Sequence, residues 1–426
     1  MIDLPYRWHP PISVGTRWGL VGLLLVALGG CGSLPWLGRE KDPNPPSPLP
    51  SFTPEAEFAI QWRQDVGRGS DGRRLRLVPA LSDGRLYTAD ARGQVTAIQA
   101  ADGRLLWRRD LKRPFSGGPD AHGDRLVIGS TKGELLALTT DDGSELWRAQ
   151  VTSEILSIPR LTDDMVVVHT LDDHVLGFDA ASGDERWRFT SQAPVLILRG
   201  SSSPVIVPSG AIVGLSGGRL IKLDLEEGAP LWTVRVTMPT GRSELERITD
   251  IDADPIVVGE TLYVGTFNGD LAAVDVASGA VLWRRTLSIY SGLIADRDAI
   301  YVTDAQDHVW AAEPDSGAGQ WRQDQLAHRQ LSPPALLGDW IIVGDFEGYL
   351  HALAREDGRL VARLRVGRGP IRARPLAVDG RLYVFGDDGT LAALTLGTAG
   401  RPERPAGTAT QDSTTRSTSD DGNTAR

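Results

Sequence analysis

The chain carries a single cysteine in 426 residues. That scarcity excludes a disulfide framework, a cysteine-based zinc site and a dithiol redox centre. An excess of positive charge is also lacking: 45 Lys and Arg stand against 55 Asp and Glu, a formal net charge of −10. Nucleic acid is thereby excluded as the main partner, because phosphate binding needs a basic surface. Phosphate-loop and His-Glu-x-x-His patterns are missing, and the seven histidines are scattered. The apolar stretch Trp18 to Gly30 is shorter than the ~20 residues that cross a bilayer. What the chain does have is glycine and proline, 48 and 27 residues. That supply favours many short strands joined by tight turns over long helices.

The ends read differently from the middle. Arg7 and Arg17 precede the apolar stretch, the order of an export signal. Leu28-Gly29-Gly30-Cys31 follows and resembles the bacterial lipobox. The resemblance implies cleavage before Cys31 and acylation of its sulfur, and two or more acyl chains hold a protein firmly on a membrane. Gly32 stands where an inner-membrane lipoprotein carries Asp, so the resemblance implies the periplasmic face of the outer membrane. Residues 1–30 are expected to be the signal, and 31–56 a lipidated tether. Pro43, Pro45, Pro46, Pro48 and Pro50 would keep that tether extended, as a spacer from the lipid surface. Residues 397–426 contain no Val, Ile, Leu, Met, Phe, Tyr or Trp and are expected to be a disordered polar tail.

Between these ends the chain repeats. Tryptophan begins a short polar strand at Trp62, Trp107, Trp147, Trp187, Trp232, Trp283 and Trp321, with Ala362 at the equivalent place. Glycine sits four residues earlier at Gly103, Gly143, Gly183, Gly228, Gly279, Gly317 and Gly358. An opening proline recurs at Pro79, Pro119, Pro159, Pro204, Pro255 and Pro334. Strand-length runs such as Thr261-Leu-Tyr-Val-Gly265 and Asp270-Leu-Ala-Ala-Val-Asp275 lie between. Glycine and aspartate suit the hairpins, so Asp102-Gly103 and Asp357-Gly358 read as turns rather than metal ligands. Each unit is a four-stranded antiparallel sheet that cannot bury its faces alone. Stacked radially, such units form a β-propeller, here all-β and spanning residues 57–396. The last unit, opening at Pro375, lacks a tryptophan strand, while Phe58-Ala-Ile-Gln-Trp-Arg63 is a spare one. Joining them predicts eight blades, with the ring closed by strands from both ends of the chain. One large ring per blade at a fixed offset reads as packing between sheets rather than as a functional stripe.

The repeat resembles that of pyrroloquinoline-quinone enzymes, which are eight-bladed propellers. Those carry a vicinal cysteine pair, a calcium site and a catalytic aspartate. No cysteine follows Cys31 here, so neither catalysis nor a cofactor nor a metal site is expected. Function is expected instead on the connections between blades. The long ones Trp187 to Pro204 and Trp232 to Pro255 are consecutive, and their loops 193–203 and 240–254 should share one face. The first holds Val195, Leu196, Ile197 and Leu198 outside the repeat register; the second is helix-prone and then acidic. An apolar patch rimmed by charge suits a protein partner.

In detail these segments read Leu196-x-Leu198-Arg199-Gly200-x-Ser202-x-Pro204 and Gly241-x-Ser243-Glu244-x-x-Arg247-x-x-Asp250-x-Asp252-x-x-Pro255. They resemble the BamB family of outer-membrane assembly lipoproteins. The resemblance implies a non-enzymatic scaffold that binds the periplasmic POTRA domains of the barrel-inserting subunit BamA. Other assembly subunits, and unfolded barrel proteins, are further partners it allows. Leu196, Leu198, Arg199, Asp250 and Asp252 are then the expected contacts. The two aspartates either orient Arg199 or meet a basic group of the partner.

Overall fold

The structure is a computed structural model that describes residues 42–191 and 196–398. Cys31, the export signal, the first part of the tether and the chain beyond residue 398 lie outside the described residues. The third repeat shows how a blade is built. Its strands are Arg160–Leu161, Met165–His169, His174–Asp179 and Glu185–Thr190, each paired antiparallel with the next. Met165–His169 is buried at every position, because neighbouring blades cover both of its sides. Glu185–Thr190, at the rim, is mostly exposed apart from Trp187. This is why the second strand is a continuous apolar run and the fourth a polar one.

Eight such sheets form an eight-bladed β-propeller, all-β among the described residues. Apolar clusters fill the spaces between blades, such as Trp147, Val166, Val168 and Phe178 between the second and third. The ring closes as the repeat count predicts. Ala56–Asp65 is the fourth strand of the last blade and pairs with Thr390–Thr398, Phe58 lying opposite Leu396. One blade departs from four strands. Arg76–Leu77 adds a fifth, parallel to Phe115–His122, on the inner edge of the second blade.

The tryptophans form a belt. Each Nε1 donates to a backbone carbonyl of the next blade, from Ala100 for Trp62 to Arg355 for Trp321. These seven bonds span 2.7 Å for Trp187 to 3.1 Å for Trp232. Beneath each ring lies the turn glycine of that next blade; a Cβ on Gly183 would stand 2.5 Å from Trp147. Gly183 also has φ +77°, so two constraints require it. A β-bulge beside each tryptophan position, such as that between Glu145 and Trp147, turns the ring toward its neighbour.

In a meander whose strands alternate in direction, connections fall on two faces. The turns after first and third strands share one, which carries the tryptophan docks. The turns after second strands and the links between blades share the other, here the loop face. The proline-rich segment runs down the outside of the seventh blade from that loop face. Ser47 N–H donates to Ala327 O at 3.0 Å, Arg363 to Pro50 O at 3.0 Å, and Glu55 N–H to Val361 O at 2.9 Å. Arg329 donates to Ser47 O at 2.9 Å and is itself buried, bonded to Asp345 at 2.8 Å and to Glu347. From Ser47 onward, then, the segment expected to be a spacer is part of the ring's surface. Extended proline-rich backbone keeps its carbonyls free, and ring arginines take them up.

Candidate functional site

Two inter-blade links dominate the loop face. They join the third blade to the fourth and the fourth to the fifth, and two carboxylates, buried Asp250 and half-buried Asp254, bind them together, with buried Asp252 packed between. Asp250, 3% exposed, accepts the Leu198 N–H at 2.6 Å and the Gly217 N–H at 2.9 Å. Asp254 accepts the Ser203 N–H at 2.6 Å and bonds Arg76 at 2.5 Å. Asp252, 8% exposed, lies under Gly200, where an added Cβ would stand 2.6 Å from its Oδ1. Glycine at 200 is what allows the carboxyl to approach the loop backbone so closely.

Ser201, Ser202 and Ser203 anchor the first loop and are buried. Ser202 Oγ both donates to Gly214 O and accepts its N–H, each at 3.0 Å, and Ser203 Oγ accepts the Ile158 N–H at 3.0 Å. Ile251 packs on Gly214 from the second loop. The helix-prone part of that loop forms only turns, with Arg247 N–H reaching Ser243 O at 3.2 Å.

The electrostatics of the three aspartates differ. Burial raises the Asp252 carboxyl to about 7, and the neighbouring charge of Asp250 adds to the effect. Asp250 is also raised by burial, against the pull of its two backbone donors. Burial works the same way on Asp254, but the charges of Arg76 and Arg160 and the Ser203 N–H hold it below the ordinary carboxylate range.

The expected residues therefore separate by depth. Leu196, Leu198 and Arg199 are half-buried at the surface, whereas Asp250 and Asp252 are buried beneath them. Of the two roles expected of the aspartates, the orienting of Arg199 is not seen. Arg199 pairs with Glu154 at 2.8 Å and donates to Arg74 O at 3.3 Å, while Asp250 holds the loop backbone. Glu154 belongs to the preceding inter-blade link, so three links meet at Arg199. Val195 lies outside the described residues.

Sequence reasoning passed over the segment between Trp62 and Pro79. It supplies Arg74 and Arg76, and Arg76 also donates to Ser201 O at 3.1 Å. Its length, equal to that of Trp187 to Pro204, was the available signal. Met238 and Leu245 on the second loop were also passed over, at 65% and 56% exposed. A Gly214-x-Ser216-x-Gly218 pattern resembles a nucleophile elbow, but here it is a turn between two strands. Ser216 Oγ donates to Asp173 Oδ1 at 3.1 Å, and His169 Nε2 lies 3.5 Å from the same oxygen. The hydroxyl is bonded to the carboxylate and not to the imidazole, so the serine–histidine hydrogen bond of a catalytic triad is not formed here. Among the described residues no three His, Cys, Asp or Glu side chains are grouped to hold a metal ion.

Fold and site together define a class: a propeller belted by tryptophan, whose distinctive surface is made of inter-blade loops. A family model described as outer membrane protein assembly factor BamB matches residues 56–121, 92–323 and 312–403. The chain belongs to this BamB family. The outer membrane protein assembly factor BamB of Pseudomonas aeruginosa is 49% identical over 383 residues, covering 89% of this chain and all of that one. The crystal structure of BamB from Moraxella catarrhalis superposes with a TM-score of 0.72 at 27% identity, over 79% of this chain and 99% of that one. Quinohemoprotein alcohol dehydrogenase from Comamonas testosteroni, at 14% identity and a TM-score of 0.63 over 82% of this chain and 78% of that one, shares the fold alone.

Proposed function

We propose that this chain is a non-enzymatic scaffold lipoprotein of the outer-membrane β-barrel assembly machinery. In this reading acylated Cys31 holds it at the periplasmic face of the outer membrane, and its loop face binds the POTRA domains of a BamA-like insertase. Family membership supports the assembly role. The observation that carries the binding site is the surface set Leu196, Leu198 and Arg199, held on a loop whose backbone is fixed from below by a buried carboxylate. Pre-ordered loops lose less entropy on binding, and an arginine beside apolar anchors is a common centre of binding energy. Leu196 and Leu198 supply the apolar contact, and Arg199 the charged one. Asp250 acts through the loop backbone it holds, as a positioning residue, and Asp252 acts from its place packed beneath Gly200 of the same loop.

The test is capture of a BamA-like partner from detergent-solubilised membranes. Arg199→Ala should lower its affinity about thirtyfold, the equivalent of roughly 2 kcal/mol, with the fold intact. Capture equal to that of the parent sinks the site. Cys31→Ala should release the chain from membranes that lack the partner. Purified protein titrated with pyrroloquinoline quinone and calcium should show no saturable binding and, with an alcohol or aldose added as electron donor, should reduce no electron-accepting dye; tight stoichiometric binding with turnover would move the chain to the quinoprotein class.

A further inference from the structure

The loop face opens at its centre into a cavity of about 490 Å³ at the mouth of the propeller channel. Six arginines line it: Arg74, Arg76, Arg160, Arg199, Arg372 and Arg374. The whole chain carries a net charge of −10, so this concentration of cations runs against the rest of the molecule. Four of the six have acidic partners: Asp254 for Arg76, Asp120 for Arg160, Glu154 for Arg199 and Asp387 for Arg372. Arg74 and Arg374 have none within 4.0 Å among the described residues.

Arg74, exposed at the rim, donates to Tyr290 Oη at 3.2 Å. Arg374, half-buried in the wall, donates to Leu293 O at 2.7 Å, and its buried Nε has no partner. The buried Nε of Arg372 is likewise unpartnered. A buried guanidinium donor without an acceptor is costly, and in a concave site it calls for an acceptor from outside the chain, water or an anion. Burial disfavours the Arg374 cation, and the like charges of Arg76 and Arg160 oppose it further; the Asp254 charge only partly offsets them. Three carboxylates also line the space, Asp252, Asp254 and Asp307. Asp254 is bonded to Arg76, Asp307 accepts the Gln330 and Leu331 N–H groups, and Asp252 is raised to about 7. Apolar wall comes from Leu77, Ile158 and Leu331 among others.

We propose that the channel mouth binds a small organic anion bearing two or more carboxylate or phosphate groups, with Arg74 and Arg374 as its principal ligands. Guanidinium forks match either oxyanion in plane, and the apolar wall suits a carbon skeleton between the charged ends. The cavity falls within the roughly 300–1,000 Å³ of small-molecule sites. Arg199 lines the cavity and also belongs to the proposed partner surface, but neither principal ligand lies on loops 193–203 and 240–254, so anion binding by Arg74 and Arg374 can fail while partner docking holds.

Titration calorimetry on the full-length lipoprotein in neutral detergent, at low ionic strength, tests the proposal with citrate in one arm and inorganic phosphate in the other. Saturable one-to-one binding of citrate is expected, weakened at least tenfold in Arg74→Gln and again in Arg374→Gln. Arg297→Gln, an exposed arginine on the opposite face, should bind as the parent does. Tighter binding of citrate than of phosphate indicates an organic polyanion; equal binding of both indicates a simple oxyanion site and overturns the organic part of the proposal. Absence of saturable binding by either anion overturns all of it, as does binding unchanged in Arg74→Gln. Because Arg74 is exposed, that variant keeps the test decisive even where Arg374→Gln fails to fold. Partner capture unaffected in Arg374→Gln, with anion binding weakened, would show that the anion ligands act independently of partner docking.

Discussion

The two faces of the ring are held by different chemistry. On one, seven tryptophans repeat the same dock: an indole over a turn glycine, with one hydrogen bond to a neighbouring carbonyl. On the other, the site loops are held by buried Asp250 and half-buried Asp254, which accept backbone N–H groups with no repeat in the pattern. The docks spread their load over the circle, and the turn carboxylates beside them, such as Asp179 at about 2, are lowered by their donors and stay ionised at ordinary pH. The loop cluster concentrates charge, and one carboxyl there is raised to about 7. A fold can therefore keep a frame whose charges stay constant between pH 5 and 8 and still carry one surface whose order depends on ionisation in that range.

The belt has one gap, and topology explains it. A tryptophan at 362 would need the turn between the third and fourth strands of the next blade. In the closing blade those strands are Thr390–Thr398 and Ala56–Asp65, from opposite ends of the chain, so no such turn exists. Ala362 stands there, and the proline-rich segment runs along that strand instead, with Glu55 bonded to Val361. Glu55 also pairs with Arg359 at 2.9 Å.

The comparison can be broken in four ways, taken from the largest expected effect. Deleting residues 55–65 removes the closing strand and exposes a sheet edge together with the sites of Phe58 and Trp62. Loss of cooperative melting and concentration-dependent association should follow, read by calorimetry and light scattering. An unchanged melting curve would mean that the ring does not depend on this closure. Next, Trp147→Ala should cost about 3–5 kcal/mol of stability, from the buried indole and its cavity. That loss should be the same at pH 5 and pH 8 in denaturant titrations; a pH-dependent loss would erase the contrast between the faces.

Asp252→Asn should behave in the opposite manner. A carboxyl protonated up to about pH 7 in the fold, but only to about 4 when unfolded, opposes folding once it ionises. The penalty is absent below pH ~4, grows between there and 7, and is complete above 7. The asparagine variant should therefore be more stable than the parent at pH 8, by as much as roughly 4 kcal/mol, with the advantage shrinking as pH falls toward 4. Equal stability across that range would show that Asp252 is not strained. The smallest effect concerns Arg199 and Asp250. Since Arg199 pairs with Glu154, a double-mutant cycle of Arg199→Ala with Asp250→Ala on the unbound protein should show coupling below about 0.5 kcal/mol. Arg199→Ala with Glu154→Ala should show more, up to ~1 kcal/mol. A larger coupling in the first cycle than in the second would restore the aspartate as the partner of Arg199.

The propeller, its eight blades and its closure were legible in the sequence because they rest on local, repeated facts. Strand-length apolar runs, turn glycines and one indole per unit recur at constant offsets, and each blade needs only its neighbours. Even the missing tryptophan at Ala362 and the spare strand at Phe58 are countable along the chain. The site residues were legible only as a set. Sequence could bring loops 193–203 and 240–254 to one face, since links of one kind share a face. It could not say that Asp250 would take the Leu198 N–H, or that Arg199 would choose Glu154, because those bonds join segments from different blades whose spacing follows no period. The docked proline segment and the arginine-lined cavity were decided by tertiary structure for the same reason. Each is made by residues far apart in the chain that meet only where the ring curves back on itself.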